Sequence, residues 1–83
     1  MRTLTLYGRS DCELCEEMKV VVRQVGARIP LELRVVDVSG DPELERRYGL
    51  DVPVLLVDGE EAFRHRLTAE ELRRRLERGK GEE

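Results

Sequence analysis

Between Thr3 and Val25 the apolar period of the chain changes once, from two residues to a helical spacing, and two cysteines stand at the change. Thr3-Leu4-Thr5-Leu6 alternates as a half-buried strand does, and residues 2–7 read as the first strand. After the polar loop Gly8-Arg9-Ser10-Asp11 the apolar positions Leu14, Met18, Val21, Val22 and Val25 form one helical stripe, with Gly26 as its stop. Asp11 is the expected N-cap, because its carboxylate can accept an orphan N–H of the first turn. Cys12 and Cys15 then lie on that first turn.

The rest of the chain repeats this alternation. Pro30 opens a second strand over 31–38, with Val35, Val36 and Val38 expected inside. Asp41-Pro42 supplies an N-cap and a first-turn proline for a short helix ending at Gly49, with Leu44 and Tyr48 on one face. A third strand covers 52–57, the Asp58-Gly59 pair suits a two-residue hairpin turn, and 60–66 returns antiparallel. Thr68-Ala69-Glu70-Glu71 fits a capping box, and Leu67 and Leu72 fit a hydrophobic staple on a last helix that runs to about Arg78 and buries Leu72 and Leu76. The order β-α-β-α-β-β-α joins a parallel βαβ unit to an antiparallel hairpin. It predicts an α/β fold with a four-stranded mixed sheet and helices on both faces.

Eighty-three residues leave room for one domain, placed at 1–78, with a polar C-terminal tail at 79–83. With one Phe, two Tyr and no Trp, the core has to be built from Val and Leu. A net charge of −3 argues against a basic surface for duplex nucleic acid. The excess of basic side chains over 62–80 reads as a solvated helix face. The longest apolar run, Val52 to Val57, is far short of the roughly 20 residues a membrane helix needs. The expectation is a cytoplasmic, monomeric protein with no membrane segment.

Cys12-Glu13-Leu14-Cys15 would close too small a loop to stabilise the chain by lowering unfolded-state entropy. A cysteine at a helix start has another use, since the partial positive charge and free N–H groups there favour thiolate. Cys12 is therefore the expected nucleophile. Cys15, one turn further in, is placed to attack a mixed disulfide on Cys12 and release the product. Glu13, Glu16 and Glu17 oppose the thiolate while Arg9 favours it, so the local charges have no clear net sign.

The run from Tyr7 to Cys15, Asp51-Val52-Pro53 before a strand, Asp58-Gly59 and the capped last helix together resemble the glutaredoxin-like members of the thioredoxin superfamily over about residues 3–78. The resemblance implies a thioredoxin-like three-layer α/β/α fold and a small thiol–disulfide oxidoreductase active through Cys12 and Cys15. It implies that Pro53 is cis and faces the cysteine pair, that Val52 offers its backbone to an extended thiol substrate, and that Arg9 lies near the thiolate and a glutathione carboxylate. No tightly bound cofactor is implied; glutathione would serve as reductant or co-substrate. The substrate would be glutathione or a disulfide-containing protein, with electrons supplied by glutathione or a reductase.

The departures lie between and beyond these residues. Glu13-Leu14 replaces the family's usual pairs between the cysteines, and Asp51 stands where threonine is usual. Arg64-His65-Arg66-Leu67-Thr68 occupies the place of a Gly-Gly pair that would let backbone N–H groups approach glutathione. Arg66, or the helix start near Thr68, is left as an anion holder, against the plainer reading of Arg64 and Arg66 as charges guarding a strand edge. His65 reads as a surface residue. Two alternatives stay open: a redox-inactive binding module on the same fold, and a metal or iron–sulfur cluster held through Cys12 in a dimer. One chain alone offers too few Cys and His ligands for zinc.

Overall fold

The computed structural model describes residues 1–78, so the tail assigned to 79–83 lies outside the described residues. Its elements follow in the order β1 (Arg2–Gly8), α1 (Glu13–Gly26), β2 (Leu31–Asp37), a 3₁₀ turn (Val38–Gly40), α2 (Pro42–Tyr48), β3 (Val54–Val57), β4 (Glu60–Arg64) and α3 (Ala69–Arg78). The strands form one sheet in the order β2-β1-β3-β4. β1 runs parallel to β2 and antiparallel to β3, and β3 pairs antiparallel with β4. This is the expected mixed sheet. A bulge between Leu55 and Leu56 shifts the β3–β4 register, so that Leu55 faces Phe63 and Leu56 faces Glu61.

Strand alternation divides the interior in two. Leu4, Leu6, Leu55 and Val57 point to one face, where Met18, Val22 and Val25 of α1 and Leu72 and Leu76 of α3 cover them. Val54 points to the other face and packs with Val38 and Tyr48, joined by Tyr7, Leu44, Val52 and Leu56. There the rings of Tyr7 and Tyr48 stack with centroids 4.5 Å apart and seat α2 on the sheet. Each fully buried leucine on the first face contributes about 1.5–3 kcal/mol, which lets a core with few aromatics hold the sheet.

Several elements start and stop where their side chains dictate. Asp41 caps α2, accepting the N–H groups of Glu43 at 2.9 Å and Leu44 at 3.3 Å, with Pro42 in the first turn. Asp58 and Gly59 both take positive φ, 51° and 86°, as the tight hairpin requires. Thr68 and Glu71 form the capping box in both directions, at 3.0 and 3.1 Å. Arg2 adds a tie with no local signature, from its Nε to Asp58 at 2.5 Å and from Nη1 to the Leu76 carbonyl at 2.8 Å.

Three expectations are corrected. Cys12, not Asp11, is the N-cap of α1: its sulfur accepts the N–H of Cys15, the third helical residue, at 3.1 Å, and Asp11 stays exposed. Gly26 ends α1 as expected, with the N–H groups of Ala27, Arg28 and Ile29 bonded to carbonyls of the last turn. Val35 is 50% exposed rather than buried. β2 is an edge strand whose Leu31 and Leu33 pack on the core, while Val35 lies beyond them near its open end. The third and fourth strands are shorter than expected, because Val52 and Pro53 precede β3 and His65 ends β4 by turning to φ 67°.

Candidate active site

The site gathers where β1 delivers the chain to α1. Cys12 is half-buried at the helix N-cap, and Cys15 sits at the third helical position, 1% exposed. The two are joined as a disulfide across Cα atoms 5.2 Å apart, a normal spacing for that bond. The Cys15 N–H aimed at the Cys12 sulfur and the positive end of α1 both favour negative charge on that sulfur once the pair is reduced. Gly8 makes the packing feasible: a Cβ there would stand 2.9 Å from the Cys15 sulfur. Behind that sulfur lies a cavity of about 170 Å³ bordered by Lys19, Val35 and Asp37.

The segment before β3 meets the same end of the sheet. Tyr7 pairs with Val54, so Val52 and Pro53 lie where β1 gives way to the loop that carries Cys12. The Val52–Pro53 bond is cis, as the resemblance implied. Pro53 is buried and Val52 half-buried. The Pro53 carbonyl accepts the His65 N–H at 2.8 Å, whereas among the described residues no hydrogen bond engages the N–H or C=O of Val52. His65 adopts the left-handed backbone without being glycine, a region in which histidine is enriched over most residues. Lack of glycine therefore does not bar that local shape, although the His65 side chain remains, exposed, with its Nε2 3.7 Å from Asp51 Oδ1.

The charged residues have partners that local sequence did not reveal. Arg9 donates from Nη2 to Glu45 Oε2 at 2.5 Å and to the Gly49 carbonyl at 3.1 Å. The Glu45 hydrogen bond is the main cause that holds the Arg9 pKa above its ordinary value. A Cβ on Gly49 would meet the Glu45 carbonyl oxygen first and that Nη2 next, at 2.9 Å, so the glycine read as a helix stop is required by the backbone of α2 and also leaves room for the guanidinium. Gly8, Glu45 and Gly49 thus belong to the site's framework. The Arg9–Glu45 contact spans 36 positions and leaves no periodic signal to find it by.

Arg64 bonds Asp51 at 2.9 Å and also Glu61, whose bond is the main cause of a raised Arg64 pKa. Arg66 is exposed, without an ion-pair partner among the described residues, and Thr68 is exposed at the start of α3. Both border a groove of about 420 Å³ with Leu14 and Met18 of α1. The structure thus brings Cys12, Cys15, Val52 and Pro53 to one end of the sheet and places Arg66 and Thr68 on the groove beside α1. It engages Arg9 with α2. Among the described residues no three His, Cys, Asp or Glu side chains gather as a metal site, and no helix is long and apolar enough to cross a membrane.

Residues 3–77 match the model of the glutaredoxin-like domain (DUF836). The chain is 34% identical to the XcR50 protein of X. campestris, over 93% of this chain and 99% of that one, with a TM-score of 0.79. It is also 34% identical to protein Ne2328 of Nitrosomonas europaea, over 86% of each chain at a TM-score of 0.75. With desulfothioredoxin from Desulfovibrio vulgaris Hildenborough it shares 29% identity over 88% of this chain and 76% of that one, at a TM-score of 0.68. A cysteine pair at a helix start, a cis proline at the adjoining strand and a family match over nearly the whole length agree: the chain belongs to the glutaredoxin-like family of the thioredoxin superfamily.

Proposed function

We propose that the protein is a small thiol–disulfide oxidoreductase. The observation that carries this function is the Cys12 sulfur at the N-cap of α1, accepting the Cys15 N–H at 3.1 Å while its partner sulfur stays buried one turn inside. That arrangement separates an attacking thiolate from a resolving one.

In the reduced protein the Cys12 thiolate attacks one sulfur of a substrate disulfide. The substrate S–S bond breaks, a mixed disulfide forms on Cys12, and the departing thiolate takes up a proton. Cys15, as thiolate, then attacks the Cys12 sulfur and frees the second substrate thiol. The Cys12–Cys15 disulfide remains, and the substrate has gained two electrons and two protons. A dithiol donor or two monothiols return the pair to the reduced form. Val52 and Pro53 align the substrate, Val52 through its open backbone groups. The protein works as a monomer in the cytoplasm, where thiols are kept reduced.

The test is turnover of a model disulfide with a dithiol as donor. Cys12→Ser should abolish reduction. Cys15→Ser should retain the first attack and accumulate a substrate adduct on Cys12, read by mass spectrometry. A Cys12 thiol of ordinary pKa together with no reduction by the wild type would refute the function.

A further inference from the structure

We infer that the substrate of this site is a disulfide within an extended polypeptide, and that glutathione disulfide is disfavoured. This rests on the oxidoreductase function proposed above. Glutathione carries two carboxylates beside its sulfur, so a site that prefers it needs cations or open N–H groups facing the sulfur's position. Most of the cations around the site already have a carboxylate beside them. Arg9 spends one nitrogen on both Glu45 and the Gly49 carbonyl. The start of α3 is occupied by the Glu71 carboxylate, which accepts the Thr68 N–H at 3.0 Å and places negative charge where an anion would dock. Arg64 is held by Asp51 and Glu61. Lys19, at the rear cavity, pairs with Glu16 at 2.8 Å. Of the cations named here, Arg66 keeps no ion-pair partner among the described residues, and the groove it borders is shared with the carboxylates of Glu17 and Glu71. Asp11 and Glu13, on either side of Cys12, are exposed and likewise without a cationic partner among the described residues.

The features left open suit a polypeptide. The Val52 N–H and C=O engage nothing among the described residues, so they can pair with an extended backbone. Leu50, two residues earlier, is 97% exposed and follows directly on the Gly49 carbonyl that Arg9 holds. Leu14, between the cysteines, floors the groove beside α1. Backbone pairing flanked by apolar side chains recognises a chain segment and supplies nothing to a small dianion.

The test compares two probes at low ionic strength with a dithiol donor: a short peptide disulfide with both ends blocked, and glutathione disulfide. The expected result is a kcat/KM about tenfold higher for the peptide, the scale of like-charge exclusion, with the ratio falling as salt is added. Glu45→Gln should take the negative charge away from the Arg9 guanidinium and narrow the ratio by raising turnover of glutathione disulfide. Equal or faster reduction of glutathione disulfide by the wild type overturns the inference while leaving the oxidoreductase function standing. Reduction of neither probe overturns both. An unchanged ratio in Glu45→Gln overturns the part assigned to Arg9.

Discussion

Replacing Gly8 with alanine tests whether the buried sulfur of Cys15 sets the shape of the site. The added methyl would lie 2.9 Å from that sulfur, 3.2 Å from the Cys15 Cβ and 3.3 Å from Leu6 Cδ2. Neither neighbour can swing aside, since Cys15 is 1% exposed within α1 and Leu6 is fully buried. Overpacking of this kind costs about 1–3 kcal/mol. Against it stands a gain of roughly 0.5–1 kcal/mol, because alanine loses less backbone freedom than glycine on entering a strand. The net expectation is a loss of about 1–2 kcal/mol, or a melting temperature lower by about 4–16 °C for a domain of this size. In a Cys15→Ala background the sulfur is gone and the backbone gain remains, so the same substitution should cost less by about 1 kcal/mol. Denaturant melts of the four proteins, all kept reduced so that the disulfide does not enter the comparison, measure that coupling. An equal cost of Gly8→Ala in both backgrounds would refute the assigned contact.

Two further expectations concern the framework. Thr68→Ala removes one half of the reciprocal cap on α3 and should cost about 1 kcal/mol in denaturant melts, with Thr68→Ser retaining most of the stability. Asp58 has its pKa lowered, first by the Thr3 N–H at 2.9 Å and then by Arg2. Its folded pKa therefore lies below the unfolded one. The stability it contributes is present above the ordinary carboxylate pKa and is lost as pH falls through the lowered value. Asp58→Asn should flatten the acid limb of stability below about pH 4 and change little in shape above it; an unaltered limb in pH-dependent melts would contradict the sign.

What could be read in the sequence was whatever neighbouring residues decide among themselves. The cap at Asp41, the turn at Asp58-Gly59 and the Thr68–Glu71 box each close within four residues, and each formed where expected. The sheet order followed because short connections leave few alternatives. Val35 was misplaced because burial of an edge strand depends on how far a helix laid over it reaches, and strand composition does not carry that length. Asp11 lost the cap to Cys12 for a different reason: the helix starts one residue later, and there the Cys12 sulfur accepts the Cys15 amide. Residue preferences at a cap rank side chains without fixing where the helix starts.

Gly8 and Gly49 show where local reading stops at the site itself. Their sequence roles, a strand end and a helix stop, agree with where they lie, yet each also stands 2.9 Å, measured from a would-be Cβ, from a side chain brought in from elsewhere. Gly8 admits the Cys15 sulfur and Gly49 admits the Arg9 guanidinium. The first close approach sets the depth of Cys15, and at the second the Glu45 carbonyl oxygen stands nearer still than the guanidinium, so the end of α2 requires that glycine as well. Arg9 in the resemblance is a ligand for an anion; once Glu45 and the Gly49 carbonyl are in place, the same residue ties α2 to the loop that leads to Cys12. An exposed ion pair alone is worth no more than about 1 kcal/mol, so the carbonyl bond matters: two acceptors hold Nη2 on α2, and an incoming carboxylate is left the Nε and Nη1 donors of a guanidinium whose charge Glu45 already faces. If the peptide and glutathione probes separate as expected, the cysteine pair persists on this fold while the groups around it choose the disulfide.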